Sequence, residues 1–326
     1  MSLLDIIIPQ YNENDEMVSQ LLDSINMQKG IDFNDINIVI INDCSNVLLS
    51  TELFYNYPKL KVKYLKMEKN SGPGVTRQFG VDNTKSPYVT FIDADDVLYD
   101  QYSLYIAISC IKEISPEVLF TSTAQEIYVN NVINYKVRRK KEVFKFLHGK
   151  FISRNFLNMN NIRFHPTLRS CEDSYYCIIL LAIGKIEYVD YITYLWKFND
   201  SSLTRKKRKY NIYIEHFDDF FRGGIDAYTF IKDKNPEFSE VFLIKIIFGN
   251  YIILNSNLFD YKDLKFVKEE YTKKVEEIIN NYSSILLKYL VDLKSFFEEE
   301  YNALKSSDKE LCINEHLFND FLKRIV

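Results

Sequence analysis

Apolar residues in the first hundred positions come in short runs that stop abruptly at polar clusters. Leu4 to Ile8 halts at Pro9 and passes into Gln10-Tyr11-Asn12. Ile36 to Ile41 ends in Asn42-Asp43, and Tyr88 to Ile92 ends in Asp93-Ala94-Asp95-Asp96. A further run, Leu60 to Met67, carries Leu60, Val62, Tyr64 and Leu65. Between the first two, Glu16 to Gln28 has Val18, Leu21, Leu22 and Ile25 at helical spacing. Near-continuous apolar strands separated by helices predict an α/β fold whose parallel sheet is covered on both faces. Ligands of open α/β sheets bind at the carboxyl ends of strands, so the edge where the polar clusters converge is the predicted site.

The C-terminal third has a different rhythm. No proline follows Pro236, and apolar residues recur at Leu264, Val267, Tyr271, Val275, Ile278 and Tyr282, then at Leu286, Tyr289, Leu293 and Phe297. Steps of three and four predict amphipathic helices, broken across Asn280 to Ser284. The basic run Arg205 to Lys209 marks the boundary. Residues 1–209 are therefore expected to form the α/β domain, with halves 1–100 and 101–209, and residues 210–326 a helical extension. Two fates are open to the stripe: self-association of the chain, or folding back on Phe242 to Leu254.

Composition narrows the class. The chain has 326 residues, 47% hydrophobic and 26% charged, which is ordinary for a globular protein. A net charge of −4 argues against a dedicated nucleic-acid binder. Cys44, Cys110, Cys171, Cys177 and Cys312 include no CxxC pair, which disfavours a disulfide framework or a zinc site. The opening MSLLDIIIPQ lacks a signal peptide's basic region and cleavage site, and Lys245 and Asn250 interrupt the longest apolar stretch. A cytoplasmic protein without a membrane span is the expectation.

Two segments carry chemistry. Gly72, Gly74 and Gly80, out of nine glycines in all, fall within NSGPGVTRQFG. Such a segment lets backbone approach a ligand before a helix that starts around Thr76. The tetrad Asp93 to Asp96 follows a strand directly. Carboxylates at i and i+2 can reach one hard cation, and Mg²⁺ and Mn²⁺ take oxygen ligands that they share with substrate phosphates. His148 and His165 read as loop or packing residues, Lys136 to Lys141 as solvated charge, and Cys171 and Cys177 as packing.

Taken together, these segments resemble glycosyltransferase family 2, whose members have the GT-A fold and use nucleotide-diphosphate sugars. The resemblance covers roughly residues 3 to 205. DIIIPQYNEN is similar to the family's nucleotide-binding start, which implies roles for Pro9, Tyr11 and Asn12. IVIINDCS implies that Asp43 contacts the base, uracil in the commonest cases. KNSGPGVTRQFG places Asn70, Gly72 and Arg77 near the nucleotide phosphates. FIDADD implies Asp93 and Ala94 at the donor, with Asp93 and Asp95 holding Mn²⁺ or Mg²⁺. The segment ending in Glu172-Asp173 implies Asp173 as the catalytic base. YLWKFNDSSLTR is similar to a segment that contributes to acceptor or diphosphate binding, here through Lys197, Asn199 and Ser202. Asn199 departs from the family, standing where histidine is often found; a neutral amide is a poorer metal ligand. The resemblance thus implies an inverting, metal-dependent transfer from a nucleotide sugar, most commonly a UDP-sugar, to a glycan, polymer or protein acceptor. Glu172-Asp173 also suits a plain helix N-terminus, which favours acids. Two rivals are a non-catalytic nucleotide-sugar-binding module and a sugar nucleotidyltransferase. The latter normally has a glycine-rich loop after its first strand, and PQYNEN has no glycine.

Overall fold

The computed structural model describes residues 2–129, 132–144, 146–199, 216–257, 265–307 and 311–325. The chain divides into two compact units, Met1–Lys206 and Lys207–Val326. The basic run at which the sequence sets the boundary lies outside the described residues, as does Ser202.

In the first unit, β1 (Leu4–Gln10), β2 (Ile36–Asn42), β3 (Val62–Lys66) and β4 (Tyr88–Phe91) form the parallel part of one sheet, in the order β3-β2-β1-β4. Alternation along β1 splits the core. Leu4, Ile6 and Ile8 join Val18, Leu21, Leu22 and Ile25 of helix α1 (Asp15–Asn26) in one apolar cluster. Ile7 faces the other way, against Gly80 of α3 (Pro73–Asp82). α1 begins where its sequence says it should: the Asn14 side chain accepts from the Met17 N–H, and Asp15 and Glu16 occupy the first turn.

The predicted stop at Pro9 needs correcting, because β1 runs through it to Gln10. The carbonyls of Leu3 and Ile7 accept from Tyr88 and Ile92, so odd positions point toward β4. Pairing with β4 ends at Ile7↔Phe91, two residues before the proline. The missing N–H of Pro9 therefore costs no ladder bond. α3 also starts earlier than Thr76, at Pro73, where a proline suits the first helical turn.

The second half of the sheet is mixed. β8 (Lys150–Ser153) runs antiparallel to β4 and to β6 (Val118–Val129); β7 (Val132–Arg138) pairs antiparallel with β6 alone. β9 (Ile186–Trp196) runs parallel to β6 and carries the short antiparallel β5 (Val97–Leu98) at the edge. Strict parallelism is thus confined to the first 91 residues. Helix α2 (Thr51–Tyr55) joins β2 to β3, α4 (Ser103–Ile114) precedes β6, and α5 (Arg154–Asn160) and α6 (Glu172–Ile183) follow β8.

The second unit is helical: α7 (Phe217–Ile231), α8 (Pro236–Leu254), α9 (Lys265–Asn281), α10 (Ser283–Lys288), α11 (Leu293–Ser307) and α12 (Leu317–Ile325). The break expected across Asn280 to Ser284 falls at Tyr282, between α9 and α10. The apolar stripe is core. Val275, Leu286, Leu293, Phe297 and Leu304 are buried in one cluster with Leu243 to Leu254 of α8, and Tyr271, Tyr282 and Tyr289 pack against it. This is the fold-back arrangement, and it takes up the surface on which self-association was to rest. Phe248 sits fully buried, its ring centroid 5.4 Å from Phe297 and 4.8 Å from Phe321. Phe248→Ala is expected to destabilise this unit by about 3–5 kcal/mol, read from chemical unfolding followed by tryptophan-independent circular dichroism. A loss below about 1 kcal/mol would mean that the aromatic cluster collapses without strain. Among the described residues no helix is long and apolar enough to cross a membrane.

Candidate active site

Four chain segments meet beyond the carboxyl ends of β1, β2 and β4. The first two lock each other. The Asn12 N–H donates to Ser45 Oγ at 3.0 Å, and the Asn46 N–H donates to Asn12 Oδ1 at 2.9 Å. Asn12 itself is left-handed, at φ 70°, a conformation that Asn tolerates better than most residues. Tyr11 is half exposed on the rim, and its N–H donates to Glu13 Oε2 at 2.6 Å.

Asp43 is buried and organises the glycine-rich loop. Its Oδ1 accepts from the Ser71 N–H at 2.7 Å and its Oδ2 from the Gly72 N–H at 2.8 Å. Gly72 sits at φ +87°, which a side chain would strain, and Pro73 then opens α3. Asn70 is tied across to the acceptor-side segment, its Oδ1 accepting from Arg169 Nη1 at 2.9 Å.

Arg77, one turn into α3, is the junction of the site. Its Nη2 donates to Asp93 Oδ1 at 2.7 Å and its Nη1 to Glu172 Oε1 at 2.8 Å, with only 8% of the Arg77 side chain exposed. Burial opposes the charge on the guanidinium, but the two carboxylates outweigh it and hold Arg77 protonated. Burial likewise works against the Asp93 charge, yet Arg77 and His148 hold its carboxyl well below the usual range. Glu172 goes the other way. Burial, with Asp173 beside it, pushes it up to about 7 despite Arg77. Gly74 makes the approach of α3 to α6 so close that a Cβ there would lie 2.8 Å from Glu172 Cγ.

The Asp93 to Asp96 tetrad divides its labour. Asp93 keeps 32% of its side chain open. Ala94 is buried. Asp95 Oδ2 accepts from Asn199 Nδ2 at 2.8 Å, and burial raises its pKa, with Asp93 adding to the effect. Asp96 is buried beneath, accepting from the Tyr194 hydroxyl and from the Lys197 N–H. Burial and its two acidic neighbours raise Asp96 well above the ordinary value. Glu13 is pushed up to about 7, first by burial and further by Asp95 and Asp93. Carboxylates held above their normal pKa by one another are stabilised when a cation enters, and oxygen donors suit Mg²⁺ or Mn²⁺. The residues present therefore fit a divalent ion.

Asp173 stands in the first turn of α6, after Cys171 in the left-handed region at φ 60°. Its Oδ1 accepts from the Ser174 N–H at 2.7 Å. Both acids lie in the first turn of α6, as a helix N-terminus favours; Glu172 is turned inward onto Arg77, and Asp173 stays partly exposed. Lys197 donates from its backbone to Asp96, while its Nζ reaches Gln20 of α1. The Cys177 thiol is buried and pushed up to about 12 by that burial, as suits a packing residue.

Three site residues escape the sequence. His148, read there as a packing residue, does stack on Tyr194, with centroids 4.4 Å apart, but its Nε2 also lies 3.5 Å from Asp93 Oδ2. Tyr194 gives no sequence signal, since it comes from β9 across the sheet. Glu13 lies inside the quoted PQYNEN, and only the burial seen in three dimensions distinguishes it from a surface acid.

The site is thus an acidic tetrad after β4 of a mixed α/β sheet, clasped by an arginine from α3. The model of glycosyl transferase family 2 matches residues 5–172, and the chain belongs to that family. Among curated relatives, the poly(ribitol-phosphate) β-N-acetylglucosaminyltransferase TarS of Staphylococcus aureus is 26% identical over 193 residues, covering 53% of this chain and 31% of TarS. The chain spans less than a third of the length of the first such relatives. TarP, also named a poly(ribitol-phosphate) β-N-acetylglucosaminyltransferase of S. aureus, is 22% identical, covering 94% of this chain and 97% of TarP. The crystal structure of S. aureus TarS 1–349 in complex with UDP-GlcNAc matches with a TM-score of 0.69 at 17% identity, over 96% of this chain and 97% of that one.

Proposed function

We propose that this chain is an inverting glycosyltransferase that moves a sugar from a UDP-sugar to an acceptor hydroxyl, with Asp173 as general base. The observation that carries this reading is the Arg77 bridge. One buried guanidinium joins the acidic motif after β4 to the Glu-Asp pair at the start of α6, so donor and acceptor sides share one charge network. The similarity to TarS and TarP supports UDP-GlcNAc as the first donor to test and a polyol-phosphate polymer as the first acceptor.

Each residue has a part that follows from its surroundings. The loop from Asn70 to Gly72, shaped by Asp43, sets where α3 starts, and the N-terminus of that helix is the element that receives the diphosphate. Pro9, Tyr11 and Asn12 form the rim on which the nucleoside rests. Asp93 and Asp95 would hold Mn²⁺ or Mg²⁺, which when bound supplies Lewis-acid stabilisation of the leaving diphosphate. Arg77 keeps Asp93 ionised and oriented. Asp173 takes the proton from the acceptor hydroxyl on the opposite side of the sugar, and a single displacement then inverts the anomeric carbon. The family resemblance assigns Lys197 and Asn199 to the diphosphate and acceptor side, and with them Ser202, which lies outside the described residues.

The test is release of UDP from a panel of UDP-, GDP- and TDP-sugars with Mn²⁺, with and without polyol-phosphate polymer. Polymer-stimulated release from a UDP-sugar is expected; no release from any donor, with no calorimetric binding of UDP, sinks the reading. Asp95→Asn is expected to abolish transfer and the metal-dependent part of UDP binding while the fold persists. Metal-dependent UDP binding equal to wild type in that variant would remove Asp95 from the ion.

A further inference from the structure

The acidic tetrad has an imidazole aimed into it that the reading above leaves idle. His148 Nε2 lies 3.5 Å from Asp93 Oδ2, and the ligand atoms of Asp93, Asp96 and His148 all fall within 4.8 Å of one another. Several of the acceptor oxygens around this point are already engaged. Arg77 takes Asp93 Oδ1, while the Lys197 N–H and the Tyr194 hydroxyl take Asp96 Oδ1 and Oδ2. Asp95 Oδ2 receives the amide nitrogen of Asn199. Asp93 Oδ2 and His148 Nε2 are left facing each other.

Their separation is informative. It is longer than an ordinary hydrogen bond of about 2.7–3.2 Å. Two ligands at right angles about an ion with bonds near 2.1 Å stand roughly 3 Å apart, so a small closure would seat one ion between them.

The imidazole is also held in place from behind. Its ring stacks on Tyr194 at an interplanar angle of 7° and meets Trp196 edge-on at 5.5 Å between centroids. Two residues on, the fully buried Lys150 donates to the carbonyls of Val143 and Phe146 and lies 4.4 Å from the Phe120 ring centroid. That ammonium fixes the segment entering His148. The orientation of the ring is therefore fixed by packing, with Nε2 presented to the Asp93 carboxylate.

We propose that His148 is a nitrogen ligand of the divalent ion, binding from the Asp93 side of the site. The inference rests on the proposed metal-dependent reading and goes further, because it selects among ions. A nitrogen ligand favours a first-row transition ion such as Mn²⁺ over Mg²⁺, which takes oxygen ligands.

The experiment is pulsed electron paramagnetic resonance of Mn²⁺ with UDP on the full chain, unlabelled and with ¹⁵N-histidine, alongside Mn²⁺ titration. Nitrogen modulation is expected in the wild type and should change to the ¹⁵N pattern on labelling. It should vanish in His148→Gln, with Mn²⁺ binding about tenfold or more weaker, and persist in His165→Gln. The labelled wild type answers the question even if His148→Gln folds poorly. Mn²⁺ that binds with UDP but shows no histidine nitrogen, or nitrogen coupling that survives His148→Gln, overturns the assignment and leaves the metal-dependent reading intact. Failure of the wild type to bind Mn²⁺ at all overturns both.

Discussion

Asp173→Asn is expected to lower transfer by about 10²–10⁴-fold, the usual range for removing a general base, while UDP and metal affinities stay at wild-type values. The substitution keeps side-chain volume, and the amide oxygen can still accept from the Ser174 N–H, so α6 should begin as before. What is lost is a charge able to receive the acceptor's proton. Donor and metal affinities should not move, because among the described residues Asp173 bonds to Ser174 and not to the Asp43 loop or to Asp95. Single-turnover transfer measured beside UDP calorimetry separates the two effects. Near-normal turnover would take the base away from Asp173. Glu172 is then a poor substitute, since its carboxylate is buried and held by Arg77.

Arg77→Leu is expected to be the most destabilising change in the first unit, by about 3 kcal/mol at neutral pH, because it leaves the buried Glu172 and the half-buried Asp93 without their cation. Its pH dependence is part of the prediction. Arg77 lowers the pKa of both Asp93 and Glu172, so without it both rise in the folded state. The folded variant then binds protons that the unfolded chain does not, and its stability falls as pH rises. The deficit relative to wild type should therefore be larger at pH 8 than near pH 5. Urea unfolding at both values decides: a loss under about 1 kcal/mol that does not vary with pH would mean the bridge is not desolvated.

The first half of the fold was readable because β1, β2 and β4 are almost wholly buried and so are short apolar runs, interrupted within only by Asp5, Asn37 and Thr90. The acidic tetrad and the glycine-rich loop stand out for the same reason, as polar residues directly after such runs. The second half is written differently. β6 is buried from Val118 through Ala124, yet that stretch includes Thr121, Ser122 and Thr123. The first two hydroxyls are satisfied by groups far along the chain: Thr121 bonds the Gly149 carbonyl and Thr193, and Ser122 bonds Tyr188 and Asp190. A core strand whose polar groups find distant partners looks like a loop to any local pattern. The same distance hides His148, whose role depends on Tyr194 and Asp93, brought together only by the pairing of β4 with β8 and of β6 with β9. In the helical unit the stripe and its break were local, and so they were legible; the choice between self-association and folding back on Phe242 to Leu254 was not, because α8 is apolar nearly all round.

The clasp of Asp43 on the loop after β3 has a consequence for how a nucleotide would be captured. Both carboxylate oxygens are engaged by the Ser71 and Gly72 amides of the chain's own loop. The backbone there has already given up its conformational freedom when the chain folds. A diphosphate arriving at the start of α3 would meet a rigid receptor, and association would not carry the entropic penalty of loop ordering. Capture of this kind is closer to docking than to coupled folding, and selectivity would come from the shape of a fixed cradle rather than from closure around the guest.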